Sequence, residues 1–192
     1  MTTTPSTRLR PGEQPLPATG SWRVGPPDSH ASFTARLAGR PVRGQLPLTG
    51  RVQIAEPIEA STARLSAETS AVRTGSRVLD RLLAGPGFLD SHAYPEMTFQ
   101  SELLVWVPAG WRAVGRLRVK DADHELACQV GARLGTSRPG SAPRLLITCT
   151  WVIDSTWLTS QPIPELGRRI DMTCSLHLDP AMWLTRHRAV VT

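Results

Sequence analysis

The sequence is poor in the residues that stabilise small secreted folds and in the motifs that mark common catalytic centres. Its 192 residues include three cysteines, Cys128, Cys149 and Cys174, which are too few and of odd number for a disulfide framework. Each cysteine falls on the apolar phase of a predicted strand, so buried thiols are expected. Aromatic residues make up only 5% of the chain.

Long apolar runs are also missing. No stretch approaches the roughly 18 apolar residues that a membrane-spanning helix needs, and the Thr- and Pro-rich start of the chain has no signal-peptide core. We therefore expect no transmembrane segment and a cytoplasmic location. Residues 1–20 are predicted to form a disordered tail, residues 21–180 the folded domain, and residues 181–192 a C-terminal tail.

The charge is positive but scattered. There are 22 basic against 16 acidic residues, which gives a net charge of +6, and all but one of the basic residues are arginines spread along the chain. Such scatter favours non-specific charge over a dedicated nucleic-acid surface, so no nucleic-acid partner is expected.

Catalytic and metal-binding signatures are absent from the sequence. It has no G-x-S-x-G elbow, phosphate-binding loop, H-E-x-x-H or C-x-x-C motif. The nearest clusters are Asp121–Glu125, which resembles a solvated hairpin tip, and His92–Glu96, where Pro95 breaks helical spacing. We expect a protein that is not an enzyme, with no metal and no cofactor beyond a bound lipid.

The strongest pattern is the alternation of apolar and polar residues, which predicts β-strands. It recurs in eight segments separated by turn residues: 31–37, 42–54, 63–67, 97–105, 111–119, 126–134, 145–153 and 170–178. Eight consecutive antiparallel strands leave exposed edges unless the sheet closes. An eight-stranded barrel has room for its own side chains or for one small ligand, and the many small inward residues favour a cavity.

One segment follows a helical period instead. In Ser76–Gly85 the apolar residues recur at intervals of three and four, Ser76 can cap the start, and Gly85-Pro86 ends the run. The predicted fold is therefore all-β, an eight-stranded antiparallel barrel with a short helix between the fourth and fifth strands.

Several segments resemble the YceI-like, polyisoprenoid-binding family, in order over about Ser21 to Asp179. Val72–Ser101 is the most specific: a Thr-Gly turn, an Asp-bearing helical turn, an aromatic-apolar-Asp step, then Tyr-Pro and a strand. The other similar segments are Asp28–Arg36, Gly44–Gln53, Gly115–Leu126 and Trp151–Leu158. Where the family usually has Arg-Asp-x-His-Leu, this chain has Leu79-Asp80-Arg81-Leu82-Leu83, which removes polar groups from the expected cavity mouth.

The resemblance implies a lipocalin-like barrel that binds, transports or stores an apolar isoprenoid lipid, such as a quinone or polyprenyl chain. Asp80 and Asp90 are the polar candidates at the cavity mouth; the alternative is that each pins the helix through backbone N–H groups or a nearby arginine. The candidate ligand-binding residues are Phe33, Leu37, Leu46, Leu48, Leu65, Leu79, Leu82, Leu83, Phe88, Leu89, Met97, Phe99, Leu103 and Leu117.

Two alternatives stay open at this point. One is an enzyme that acts on a hydrophobic small molecule in the same cavity, with Asp80, His92 or Asp90 as acid or base. The other is an interaction module whose barrel is fully packed and which forms a homodimer.

Overall fold

Long antiparallel strands make up most of the structure, as the alternation predicts. The computed structural model describes residues 19–135, 144–161 and 163–180, so the predicted tails lie outside the described residues except for residues 19 and 20. The elements are β1 (Gly20–Val24), β2 (His30–Leu37), β3 (Arg40–Ile54), β4 (Thr62–Glu68), α1 (Arg77–Ala84), β5 (Glu96–Val107), β6 (Gly110–Val119), β7 (Ala122–Gly135), β8 (Arg144–Asp154) and β9 (Arg169–Pro180).

The sheet closes on itself. Its order is β1-β3-β2-β9-β8-β7-β6-β5-β4, and two further pairings, β3 with β4 and β1 with β9, join the ends. All of these pairings are antiparallel. Closure removes the exposed edges that eight consecutive strands would otherwise present, and the predicted eight-stranded antiparallel barrel is confirmed.

The ninth strand does not add a ninth position to the barrel. β1 pairs with residues 50–54 of β3 and 178–180 of β9, whereas β2 pairs with residues 40–47 of β3 and 171–175 of β9. β1 and β2 therefore occupy one position end to end. β1 was not among the predicted strands because Trp22 and Val24 are its only buried side chains, and five residues are too short for alternation to stand out.

Alternation places one side of each strand inside the barrel. Along β3 the buried residues are Leu46, Leu48, Val52 and Ile54, and along β9 they are Ile170, Met172, Cys174, Leu176 and Leu178. Burying each Leu or Ile contributes roughly 1.5–3 kcal/mol relative to leaving it exposed. The interior wall is thus both the main source of stability and the lining of any cavity.

A β-bulge changes the phase of β5. Ser101 pairs with Gly115 and Leu103 pairs with Val114, so Glu102 is an extra residue in the strand. Beyond the bulge, Leu104 packs against the core while the side chain of Leu103 is 48% exposed. The prediction that Leu103 faces the interior is wrong, because uninterrupted alternation from Met97 does not allow for the extra residue.

The helix α1 lies between β4 and β5, which are the fourth and fifth strands in the numbering of the structure. Because β1 was not among the predicted strands, this is the interval between the third and fourth segments of alternation. The Ser76 hydroxyl accepts a hydrogen bond from the Leu79 N–H at 3.5 Å, and Gly85 follows the last helical residue. Among the described residues, no helix has the length and hydropathy needed to cross a bilayer.

Candidate functional site

Three cavities lined by described residues follow one another along the barrel interior. The helix-end cavity, about 70 Å³, lies against α1 and is lined by Val42 and Leu46 of β3. The central cavity, about 80 Å³, is lined by Leu46 and Leu48. The turn-end cavity, about 130 Å³, is lined by Val52 and Ile54 and reaches Ile58, which lies in the short 3₁₀ turn at residues 58–60.

The lining residues along β3 therefore run in chain order from one end of the barrel to the other. From Val42 to Ile54 the strand rises by twelve residue steps, or about 40 Å. This corresponds to about 30 Å along the axis of a barrel whose strands are tilted by about 40°. Neighbouring cavities share wall residues. Leu46, Met97, Ile153 and Met172 line both the helix-end and the central cavity, while Leu65, Phe99, Cys128 and Cys149 line both the central and the turn-end cavity.

The walls are almost entirely apolar. Every residue that lines the helix-end cavity is Ala, Val, Leu, Ile, Met or Phe. In the turn-end cavity the serine hydroxyls are already used: Ser61 accepts a hydrogen bond from the Ala55 N–H at 3.0 Å, and Ser101 accepts one from the Ala63 N–H at 2.7 Å. Such surfaces favour an apolar guest, which loses little hydration energy on entering.

Trp151 and Ser66 are the lining residues of the central cavity whose side chains carry a nitrogen or oxygen atom. Trp151 follows the inward phase of β8 between Cys149 and Ile153, and it lines this cavity with them. Its indole Nε1 is buried and has no hydrogen-bond partner among the described residues. Leaving a buried donor unpaired costs about 1–3 kcal/mol, so a guest with an oxygen acceptor near this point would relieve that cost.

Three thiols form part of the same wall. Cys149 lies directly opposite Cys174 in the β8–β9 pairing, and it also interacts with Cys128. Hydrogen bonding to Cys128 and Cys174, together with burial, raises the pKa of Cys149, whereas the hydrogen bond with Cys149 lowers the pKa of Cys128. All three are free and buried, which confirms the prediction of buried thiols.

The part of the chain that the structure describes contains no metal-binding cluster of side chains. Within it, no group of three or more His, Cys, Asp or Glu side chains is placed to hold an ion.

The structure brings thirteen of the fourteen candidate lining residues to the cavities. Those at the helix-end cavity are Phe33, Leu37, Leu46, Leu79, Leu82, Leu83, Phe88, Leu89 and Met97. Those at the central cavity are Leu46, Leu48, Leu65, Met97, Phe99 and Leu117. Leu103 lines none of the three, because of the bulge described above.

Asp80, a polar candidate for the cavity mouth, does not lie in the wall of any of these cavities. Its Oδ1 accepts hydrogen bonds from the N–H and the hydroxyl of Thr74, each at 2.7 Å. These bonds, led by the hydroxyl and aided by the positive charge of Arg73, lower the pKa of Asp80. The carboxylate thus pins the turn that precedes α1, which is the alternative stated for it above.

Asp90 and His92 are also outside the cavity walls. Asp90 has a backbone φ of 50°, and its N–H donates to the carbonyl of Gly85 at 2.9 Å, so its role in the described structure is to shape the loop after α1. His92 is exposed on the same loop. The structure therefore does not gather the three residues named as acid–base candidates around the apolar interior.

The cavity walls also include residues that were not among the predicted ligand-binding residues. Met172, Ile153 and Trp151 line the central cavity, and Trp111 lines the turn-end cavity. Their inward direction follows from the same alternation, which could have identified them. The sequence gives no sign that the Trp151 indole N–H has no partner among the described residues, since this depends on what surrounds the ring.

Comparison with protein families gives one match of wide coverage. The sequence model of the YceI-like domain matches residues 22–157, which is more than half of the chain. No curated protein matched the sequence.

Solved structures of similar fold come from several bacteria. BcnA from Burkholderia cenocepacia aligns with a TM-score of 0.64 and 14% identity, over 78% of this chain and 95% of that one. The YceI protein of Campylobacter jejuni aligns with a TM-score of 0.58 and 17% identity, over 71% and 83%. A polyisoprenoid-binding domain from Saccharophagus degradans aligns with a TM-score of 0.57 and 14% identity, over 85% and 99%. At these identities the similarity establishes the fold.

Proposed function

Because the chain belongs to the family of YceI-like domains, we propose that it binds one elongated, apolar lipid of the isoprenoid type along the axis of its barrel. The observation that carries the proposal is the series of three apolar cavities with shared walls. The similar fold of the Saccharophagus degradans domain, which is described as polyisoprenoid-binding, supports it.

The sizes of the cavities suit a guest built from small repeated units. A dry apolar cavity of about 150 Å³ accommodates a benzene-sized molecule, which has six carbons. On that scale the helix-end and central cavities each suit about three carbons, and the turn-end cavity suits about one five-carbon unit. Between the helix-end and central cavities the wall includes Met97 and Met172, whose unbranched side chains change rotamer readily. We infer that rotation of these side chains joins the cavities when a longer chain enters.

The gain in free energy is sufficient without a polar anchor. Each buried CH₂ contributes roughly 0.8 kcal/mol, so an isoprene unit contributes several kcal/mol before the cost of ordering the guest. Affinity therefore needs only apolar wall, which explains why the sequence carries no ligand-binding motif.

Trp151 favours a quinone over a pure hydrocarbon as the guest. A quinone carbonyl can accept a hydrogen bond from the Trp151 Nε1–H, which has no partner among the described residues. A polyprenyl hydrocarbon leaves that donor unpaired.

Transport or storage as the biological role, a cytoplasmic location, a homodimer and the lack of catalysis all stay predictions.

The experiment that tests binding compares two Ala→Leu variants. Ala67 is buried and lines the central cavity, whereas Ala127 is exposed on β7. Native mass spectrometry with decylubiquinone should show one bound molecule in the wild type and in Ala127→Leu, and at least about tenfold weaker binding in Ala67→Leu, whose added carbons fill the central cavity. Equal binding by both variants, each shown to be folded by circular dichroism, would exclude the interior as the site.

The quinone hypothesis has its own test. Replacing Trp151 by Phe keeps an aromatic ring but removes the indole N–H. Affinity for decylubiquinone should fall about fivefold to tenfold, while affinity for farnesene, which has no oxygen, should stay within about twofold. If both affinities change alike, Trp151 contributes packing only, and the preference for a carbonyl-bearing guest is wrong.

A further inference from the structure

Three arginines that are far apart in the sequence lie side by side on the outer wall of the barrel. Arg23 of β1 is directly opposite Arg51 of β3, and Arg51 is directly opposite Arg64 of β4. All three are exposed. Residues paired in this way have their Cβ atoms about 5 Å apart, so closure of the barrel converts scattered positive charge into a compact row.

The arginine row (Arg23, Arg51 and Arg64) lines a concave outer surface. The concave space has a volume of about 830 Å³, and the other polar side chains that line it are Thr49, Gln53 and Thr62. Among the residues that the structure describes, none that lines it is acidic. Hydroxyl and amide groups can donate hydrogen bonds beside the guanidinium groups, so every polar side chain here is able to act as a donor.

The arginines of the row form no direct ion pair within the described ranges. There, no Asp or Glu forms an ion pair with Arg23, Arg51 or Arg64. Asp179 lies opposite Arg23, but its carboxylate is paired with Arg144 at 3.2 Å. Like charges placed directly opposite each other destabilise a sheet, and Arg51 has an arginine on both sides.

We propose that the arginine row is a binding site for a multiply charged oxyanion of the phosphate type. Guanidinium groups present paired N–H donors that match two oxygens of a phosphate, and neighbouring guanidinium groups can share one multiply charged ligand. The site is on the outside of the barrel, so it is separate from the interior proposed to hold a lipid and does not depend on that function. A free phosphate ester and a phospholipid headgroup share this chemistry.

The test uses inorganic pyrophosphate and two variants of one strand. Arg51→Gln removes the central charge of the row, and Arg43→Gln removes an exposed charge of the same strand that lies outside the concave surface. Isothermal titration at low ionic strength should show pyrophosphate binding to the wild type and to Arg43→Gln. Affinity should fall about tenfold or more in Arg51→Gln.

A second arm identifies the source of the anion. Co-sedimentation is measured with phosphatidylcholine vesicles that contain or lack phosphatidylglycerol. Pyrophosphate binding that depends on Arg51 supports a free phosphate ligand, and vesicle binding that depends on both Arg51 and phosphatidylglycerol supports a lipid headgroup. The proposal is overturned if neither probe binds, or if Arg51→Gln and Arg43→Gln weaken binding equally.

Discussion

Gly44 shows how a missing side chain shapes one end of the interior. It lies opposite Phe33 in the β2–β3 pairing, and a Cβ at this position would collide with the Phe33 ring and with the carbonyl oxygen of Arg73. The Phe33 ring, which lines the helix-end cavity, therefore occupies the space that a larger residue at position 44 would fill.

Replacing Gly44 by Ala should destabilise the protein by about 1–3 kcal/mol, because the added methyl group overpacks a filled site. Gly87→Ala is the matched control, since a Cβ there would meet no atom within 4 Å. Urea denaturation measures both. A loss in Gly87→Ala as large as that in Gly44→Ala would show that the collision with Phe33 and Arg73 does not set the cost.

Thr74 controls the protonation of Asp80. Its hydroxyl and N–H hydrogen bonds lower the pKa of this carboxyl. A carboxyl whose pKa is lower in the folded state stabilises the fold above its unfolded value, about 3.9. That contribution is lost as the pH falls through the lowered value.

Thr74→Val removes the hydroxyl donor, so the pKa of Asp80 should rise toward its ordinary value. Since the ionised Asp80 pins the turn before α1, acid should release this turn at a higher pH in the variant than in the wild type. A carbon-13 NMR titration of the carboxyl groups measures this pKa. Asp154, whose pKa is lowered by hydrogen bonds from Thr156, serves as an internal reference that should not move. An unchanged Asp80 titration would contradict the role given to Thr74.

The helix α1 joins the wall through one face only. Leu79 is half-buried and lines the helix-end cavity, whereas its neighbour Val78 is 77% exposed. Helical periodicity predicts the segment but treats both residues as apolar positions. Which of them meets the barrel depends on the position of the helix over the barrel end, which the sequence pattern does not specify.

Leu79→Ala should therefore cost about 1–3 kcal/mol, less than a fully buried leucine, because part of the side chain is exposed. Val78→Ala should change stability by no more than about 0.5 kcal/mol. Thermal denaturation, with hydrogen exchange of the α1 amides, checks both. A Val78→Ala variant that matches Leu79→Ala would mean that another surface covers Val78 in solution.

The sequence predicts the strands of the barrel and their inward faces, but not the features that arise when the strands pair. Alternation locates eight strands and the side of each that faces inward, because that side must be buried. Alternation gives the wrong direction for Leu103, because a single bulge residue, Glu102, reverses the phase of the strand beyond it. Alternation also does not predict the arginine row or the Trp151 donor, which has no partner in the described part of the chain. Both depend on residues brought together by pairing between strands.

In the proposed complex, one guest extends through the interior from the helix-end cavity to the turn-end cavity. Two methyl groups report on its two halves: Met172 lines the helix-end and central cavities, and Ile147 lines the turn-end cavity. In a methyl NMR titration with decylubiquinone, both signals should shift together and stop shifting at one equivalent. Signals from Met172 and Ile147 that stay unchanged, while those of exposed Val78 or Leu103 shift, would contradict the claim.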